Sequence, residues 1–176
     1  MTADAEPPPL PAAARGRLAP APLPRDRLAG LTGRQVLEMM RSGGLPPAPF
    51  AVAMDIELLE VGEGRVVFTG RPTAAFLNPL GTLHGGWTAT ILDSAMGCSV
   101  HSTLPPGRLY TTASMTVNYV RALKGDGEPV RCEAVAVHAG GRTATSEGKL
   151  WDARGRLVAH GSETCLVFDA PAPRPA

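Results

Sequence analysis

Residues 78 to 93 contain side chains and backbone suited to handling a carbonyl group. Asn78 is followed by His84-Gly85-Gly86, and Asp93 is the one charge in the small or apolar run 87–100. The glycine pair falls where a helix should begin. A helix N-terminus carries unpaired N–H groups and a partial positive charge, and glycine lets a ligand approach that backbone closely. His84-Gly85-Gly86 is therefore a sensible oxyanion site. A helix that is apolar all round belongs inside a protein, and a carboxylate buried there is costly unless it is paired or has a task. Asp93 would act either as a nucleophile forming an acyl anhydride or as a general base on water, and sequence does not separate the two. The plainer alternatives are that Asp93 caps a loop or pairs with a buried Arg, and that His84 only bonds loop backbone.

The spacing carries a further consequence. Asp93 lies seven residues beyond Gly86, about 10 Å along a helix axis. One carbonyl carbon cannot touch both in a single chain. If both act on one substrate, the acid comes from a second copy, which predicts a homodimer with two sites at its seam.

The elements that must hold these residues are legible in outline. Thr32 is a candidate N-cap for a short helix over 33–41, stopped by Gly43-Gly44 and Pro46-Pro47. Residues 51–61 and 65–71 read as strands joined at Gly62-Glu63-Gly64. The central helix follows, running to about Ser102 and closed off by Pro105-Pro106-Gly107. Four strand-like runs come next, over 109–120, 129–138, 143–152 and 157–168, separated by Gly-rich turns and read as an antiparallel meander. In the first of these, strict alternation puts Thr111, Ala113, Met115, Val117 and Tyr119 on one face and Thr112, Ser114, Thr116, Asn118 and Val120 on the other. The expectation is an α+β fold in which one curved antiparallel sheet wraps one long central helix, with a short helix near the N-terminus. Trp87 and Met39-Met40 read as core.

Bulk composition narrows the function classes. The chain of 176 residues carries 17 basic and 16 acidic residues, a net charge of +1, with no basic block to serve nucleic acid. Cys98, Cys132 and Cys165 are far apart and odd in number, which fits reduced thiols in a cytoplasmic protein. No metal-ligand spacing, phosphate loop or dinucleotide fingerprint is present, and no run is long and apolar enough for a membrane span. Residues 1–28 are rich in Pro, Ala and Arg and read as a disordered tail. Residues 29–169 form the domain, and 170–176 a second short tail.

The pattern Asn78-x5-His84-Gly85-Gly86-x6-Asp93, followed by Tyr110-Thr111-Thr112-Ala113-Ser114-Met115-Thr116-Val117-Asn118-Tyr119, resembles the hotdog-fold acyl-CoA thioesterases of the PaaI-like, phenylacetate-pathway group. The resemblance spans roughly 30–168. It implies a homodimer, often a homotetramer, that hydrolyses an acyl-CoA to free acid and CoA with no retained cofactor or metal. It assigns Asp93 as the catalytic acid and Gly85 and Gly86 as the carbonyl-polarising backbone. Asn78 and His84 would orient thioester and water, and Thr112, or its neighbour Thr111 after a one-residue slip, would hold the water. Gly141, Arg142 and Thr143 match the turn that takes CoA, with Arg121 and Lys124 as candidate phosphate contacts. The acyl group would meet Trp87, Ile91, Met96 or Leu80, in a pocket suited to aryl or medium-chain acids. A non-catalytic acyl-CoA- or lipid-binding hotdog protein is the second reading, and a hotdog dehydratase a third. The family pattern does not account for the Pro/Ala/Arg arm.

Overall fold

A computed structural model describes residues 18–23, 25–28 and 30–171. The helix α1 spans Gly33–Arg41. Its start is fixed by a reciprocal cap: Gln35 N donates to Thr32 Oγ1 at 3.3 Å, and Thr32 N donates to Gln35 Oε1 at 2.9 Å. Residues 51–53 do not open a strand. They belong to a short helix, α2 (Pro49–Ala53), with proline in its first turn, where a missing N–H costs nothing. The first strand, β1, begins only at Ile56 and runs to Gly62, and β2 follows at Arg65–Gly70. Part of the expected tail, 18–23 and 25–28, lies among the described residues. A 3-10 turn covers Arg25–Leu28, Ala21 N donates to Pro47 O, and Arg27 donates to Gly44 O. Residues 1–17 and 24 of the expected N-terminal tail, and 172–176, lie outside the described residues.

The long helix α3 spans Gly85–His101. The later strands are β3 (Arg108–Tyr119), β4 (Val130–Ala139), β5 (Thr143–Trp151) and β6 (Leu157–Asp169). All six strands form one antiparallel sheet in the order β1-β2-β4-β5-β6-β3. The meander expected of the last four strands therefore holds for β4, β5 and β6 alone. The segment 120–129 is a crossover that carries the chain past β6 and β5 to the interior strand β4, so β3 becomes an edge strand beside β6. Its glycines mislead as hairpin punctuation. Gly125 instead lies against Thr73 and Leu77, where a Cβ would collide, and Gly127 N donates to Pro72 O.

The sheet's concave side holds α3. Trp87, Ile91, Leu92, Ala95 and Met96 are buried with Val66, Phe68, Cys132, Leu150 and Val158. Burial of this kind is the dominant stabilising term. The helix is nonetheless not covered all round. Gly86 is exposed, and Ala89, Thr90, Asp93 and Ser94 are half-buried. Positions 86, 89, 90 and 93 form one stripe at helical spacing, and this chain's own sheet does not cover it. The near-uniform composition of α3 hid that stripe from the sequence. Among the described residues no helix is long and apolar enough to cross a membrane.

Candidate active site

The loop before α3 is shaped from within. Asn78 Oδ1 accepts from Leu80 N at 2.9 Å and Thr82 N at 3.2 Å, and Asn78 Nδ2 donates to Thr82 Oγ1 at 2.7 Å. Gly81, at φ +77°, completes the turn by donating to Asn78 O in a conformation that favours glycine. Asn78 thus spends its amide on the loop and sets the approach to His84.

His84 is the N-cap of α3. Its Nδ1 accepts from Gly86 N at 2.9 Å. An accepting Nδ1 carries no proton, so the neutral ring bears its hydrogen on Nε2. The Gly86 amide therefore has a partner inside the chain, and the imidazole must turn for that amide to serve a substrate oxygen. The Gly85 carbonyl is held by Tyr119 Oη at 3.0 Å, which ties the helix start to the end of β3.

Two turns further along α3, Asp93 Oδ1 lies 3.0 Å from Thr112 Oγ1. Strict alternation put Thr112 opposite Met115, and the structure corrects this. A β-bulge interrupts the β3–β6 register between Thr112, opposite Cys165, and Ser114, opposite Thr164. Ala113 is the extra residue, so Thr112 and Met115 both face the helix side. Thr111 sits on the other parity and makes no bond to Asp93. Bulges commonly re-aim a side chain beside an active site. Among the described residues no Arg, Lys or His forms an ion pair with Asp93.

Sequence reasoning missed a second acid. Glu163 is 2% exposed, and its Oε1 lies 2.8 Å from the same Thr112 hydroxyl and 3.0 Å from Cys165 Sγ. Burial pushes its carboxyl above the usual range, and the neighbouring Asp93 charge adds to the effect. The signal was present in β6, where Glu163 shares the inward parity of Ala159, Cys165 and Val167. Burial also raises all three thiols, Cys98 to about 12, so none is a thiolate nucleophile at neutral pH. Among the described residues no group of three or more His, Cys, Asp or Glu is arranged to hold a metal ion.

The expected CoA contacts fall at opposite ends of the sheet. Arg121 follows β3 at the Tyr119 end, bonded to Val158 O, and Lys124 lies beyond it near the α3 N-terminus, where Leu83 N donates to Leu123 O. Gly141, Arg142 and Thr143 lie at the other end, where Val167 N donates to Arg142 O and Arg108 donates to Gly141 O and Asp169. The two groups are separated by the length of β3, roughly 35 Å for twelve extended residues. The acyl residues also need correction. Trp87, Ile91 and Met96 are sealed in the core, while Leu80 is 88% exposed. An apolar groove opens elsewhere, among Leu37, Met40, Ala51, Ile56, Phe68 and Cys98.

One long helix held in one six-stranded antiparallel sheet is the hotdog architecture. The sequence signature of the thioesterase superfamily matches residues 80–159. The fold is also similar to three solved structures. A point mutant of the phenylacetic acid degradation protein PaaI from Thermus thermophilus is 30% identical, covering 67% of this chain and 97% of that one, with a TM-score of 0.61. A hypothetical thioesterase from Streptococcus pneumoniae, solved with coenzyme A, is 26% identical over 66% and 88%, with a TM-score of 0.60. The E. coli PaaI protein, at 22% identity over 69% and 85% with a TM-score of 0.63, shares the fold. No curated protein matches the sequence. The chain belongs to the thioesterase superfamily, within its PaaI-like hotdog group.

Proposed function

We propose that this thioesterase hydrolyses an acyl-CoA to the free acid and CoA, working as a homodimer in which each site draws on both chains. The observation that carries the reading is the position of Asp93. It is a half-buried carboxylate on the uncovered stripe of α3, bonded to Thr112 and free of any cation among the described residues. The pneumococcal relative's bound coenzyme A supports the choice of thiol.

In this reading Asp93 attacks the thioester carbonyl or draws a proton from a water that does so, and Thr112 positions the carboxylate. The developing oxyanion sits at the N-terminus of the partner's α3, on the Gly86 and Gly85 amides, once His84 turns aside. The proposed dimer pairs two copies two-fold along β3, which is an edge strand of the sheet. It sets each Asp93 towards the other chain's helix start, and sets the Arg108–Arg142 end beside the other chain's Arg121–Lys124 end. Four cations would then flank one CoA, whose phosphates suit them. An aryl or medium-chain acyl group is the proposed acid, with the apolar groove among Leu37, Met40, Ala51, Ile56 and Phe68 as its candidate seat. A homotetramer and a cytoplasmic setting are the proposed assembly and location, the second resting on the three free cysteines.

The test is a thiol-release assay over a panel of acyl-CoAs with wild type and D93N. Wild type should release CoA, and the variant should lose ~10²-fold or more in kcat, the scale of a lost general base. A variant that keeps full rate on the best substrate removes Asp93 from the mechanism.

A further inference from the structure

Thr112 Oγ1 stands within hydrogen-bond distance of two carboxylates, Asp93 Oδ1 at 3.0 Å and Glu163 Oε1 at 2.8 Å. A hydroxyl has one proton to give. If both acids were ionised, one of them would face the lone pairs of Thr112 with nothing between. The groups facing Glu163 can be counted from every element packed on it. They are Asp93 and Cys98 on α3, Tyr110 and Thr112 on β3, Cys165 on β6, and Ser146, its cross-strand partner on β5. None is a cation. Among the described residues Glu163 Oε2, which is buried, finds no hydrogen-bond partner, and neither does Ser146 Oγ. An anion in that position would be buried, unpaired and incompletely bonded, a costly state, whereas Asp93 on the half-open stripe keeps contact with solvent.

We propose that Glu163 is a positioning residue. It is held as the neutral acid, donates its own proton to Thr112 Oγ1, and thereby commits the single hydroxyl proton of Thr112 to Asp93. The chain of donors runs Glu163 Oε1–H to Thr112 Oγ1–H to Asp93 Oδ1. No bond is made or broken in this arrangement. It orients the hydroxyl and leaves Asp93 as the one anion of the cluster. Burial raises the Glu163 carboxyl, in keeping with the neutral form. When the pH rises far enough to remove this proton, Thr112 is released to turn and a second anion stands beside Asp93.

This inference rests on the thioesterase reading above, and the test separates the two. E163L should lose roughly ten- to a hundredfold in kcat with little change in KM, the scale of one lost hydrogen bond in a charged cluster. E163Q keeps a donor toward Thr112 and cannot ionise. It should recover most of that loss, and it should abolish the alkaline decline in kcat expected of the wild type. If E163Q is as slow as E163L, or keeps the wild-type alkaline decline, Glu163 does not position Thr112 as a neutral acid. Infrared spectroscopy of the wild type reads the same point without turnover or variants. A buried carboxylic-acid carbonyl band should persist at neutral pH, and its absence overturns the proposal. Wild type that shows this band but releases no thiol from any acyl-CoA would sink the thioesterase reading instead.

Discussion

Asp93 and Thr112 meet because β3 is irregular. The 3.0 Å contact between Asp93 Oδ1 and Thr112 Oγ1 exists only because Ala113 is left out of the β3–β6 register. Without the bulge, either Thr112 or Met115 would face away from α3. With it, one edge strand presents Tyr110 and Thr112 toward the C-terminal half of the helix. It then presents Met115, Val117 and Tyr119 toward the core and the helix start. A local departure from pleat thus aims the hydroxyl at the acid while the strand still closes the core.

The two adjacent threonines should therefore differ sharply. Thr112→Val removes the hydroxyl bonded to Asp93 and should lower kcat roughly ten- to a hundredfold, the worth of a hydrogen bond to a charged group. Thr111→Val lies on the other face, directly opposite Leu166, and should leave kcat within about twofold, as surface changes in a strand usually do. Thiol-release kinetics on both variants decide the matter, and an unaffected T112V would show that the contact has no part in turnover.

The N-terminal helix should prove a stability element docked at one point. A Cβ on Gly33 would stand 1.8 Å from His101 O, which is backbone and cannot step aside. Gly33 N also donates to Leu104 O at 3.0 Å. Gly33→Ala should force α1 away from the end of α3 and destabilise the fold by about 1–3 kcal/mol, the range for overpacking. Urea unfolding monitored by tryptophan fluorescence measures this, and a variant of wild-type stability would mean that α1 docks differently.

What the sequence disclosed and what it withheld divide along physical lines. The capped helix after Thr32, the long helix after His84 and most strand limits follow from local chemistry, and those elements stand where the residues placed them. Pairing is not local. Nothing in Lys124-Gly125-Asp126-Gly127 distinguishes a hairpin from a crossover, because glycines serve both a tight turn and close packing on Thr73. The bulge at Ala113 was equally hidden, since alternation in β3 remains plausible through it. Asp93 stood out as a lone charge in an apolar run, whereas Glu163 sat in a strand with polar neighbours at Ser162 and Thr164 and drew no notice. The uncovered stripe on α3 required the sheet to be seen first.

Acid should loosen the fold through His101. Its ring packs on Tyr110 at 5.6 Å, its buried Nδ1 has no partner among the described residues, and burial lowers its basicity below the ordinary value of 6.5. The unfolded chain then binds a proton that the folded chain refuses, so stability rises with pH across this window. The contribution is present above about 6.5, the unfolded value, and drains away as pH falls from there toward the lowered folded value. The melting temperature of wild type should drop over that interval, and His101→Phe, which cannot titrate, should flatten the drop. A slope unchanged in the variant would assign it to other groups.

The shared site gives the sharpest test of the assembly. Gly86 and Asp93 lie on one stripe of α3 but two turns apart, so each half of a site should come from a different chain. D93N lacks the acid, and Gly86→Val fills the cradle, where even a Cβ would stand 2.9 Å from His84 Nδ1. Each homodimer should be nearly inactive. Co-expressed with two different affinity tags and purified through both, the heterodimer carries one site with both defects and one with neither. It should regain about half the wild-type rate per dimer, as two-fold symmetry requires. Sites built within single chains would give a heterodimer as dead as its parents, because every chain would then carry one lesion of its own.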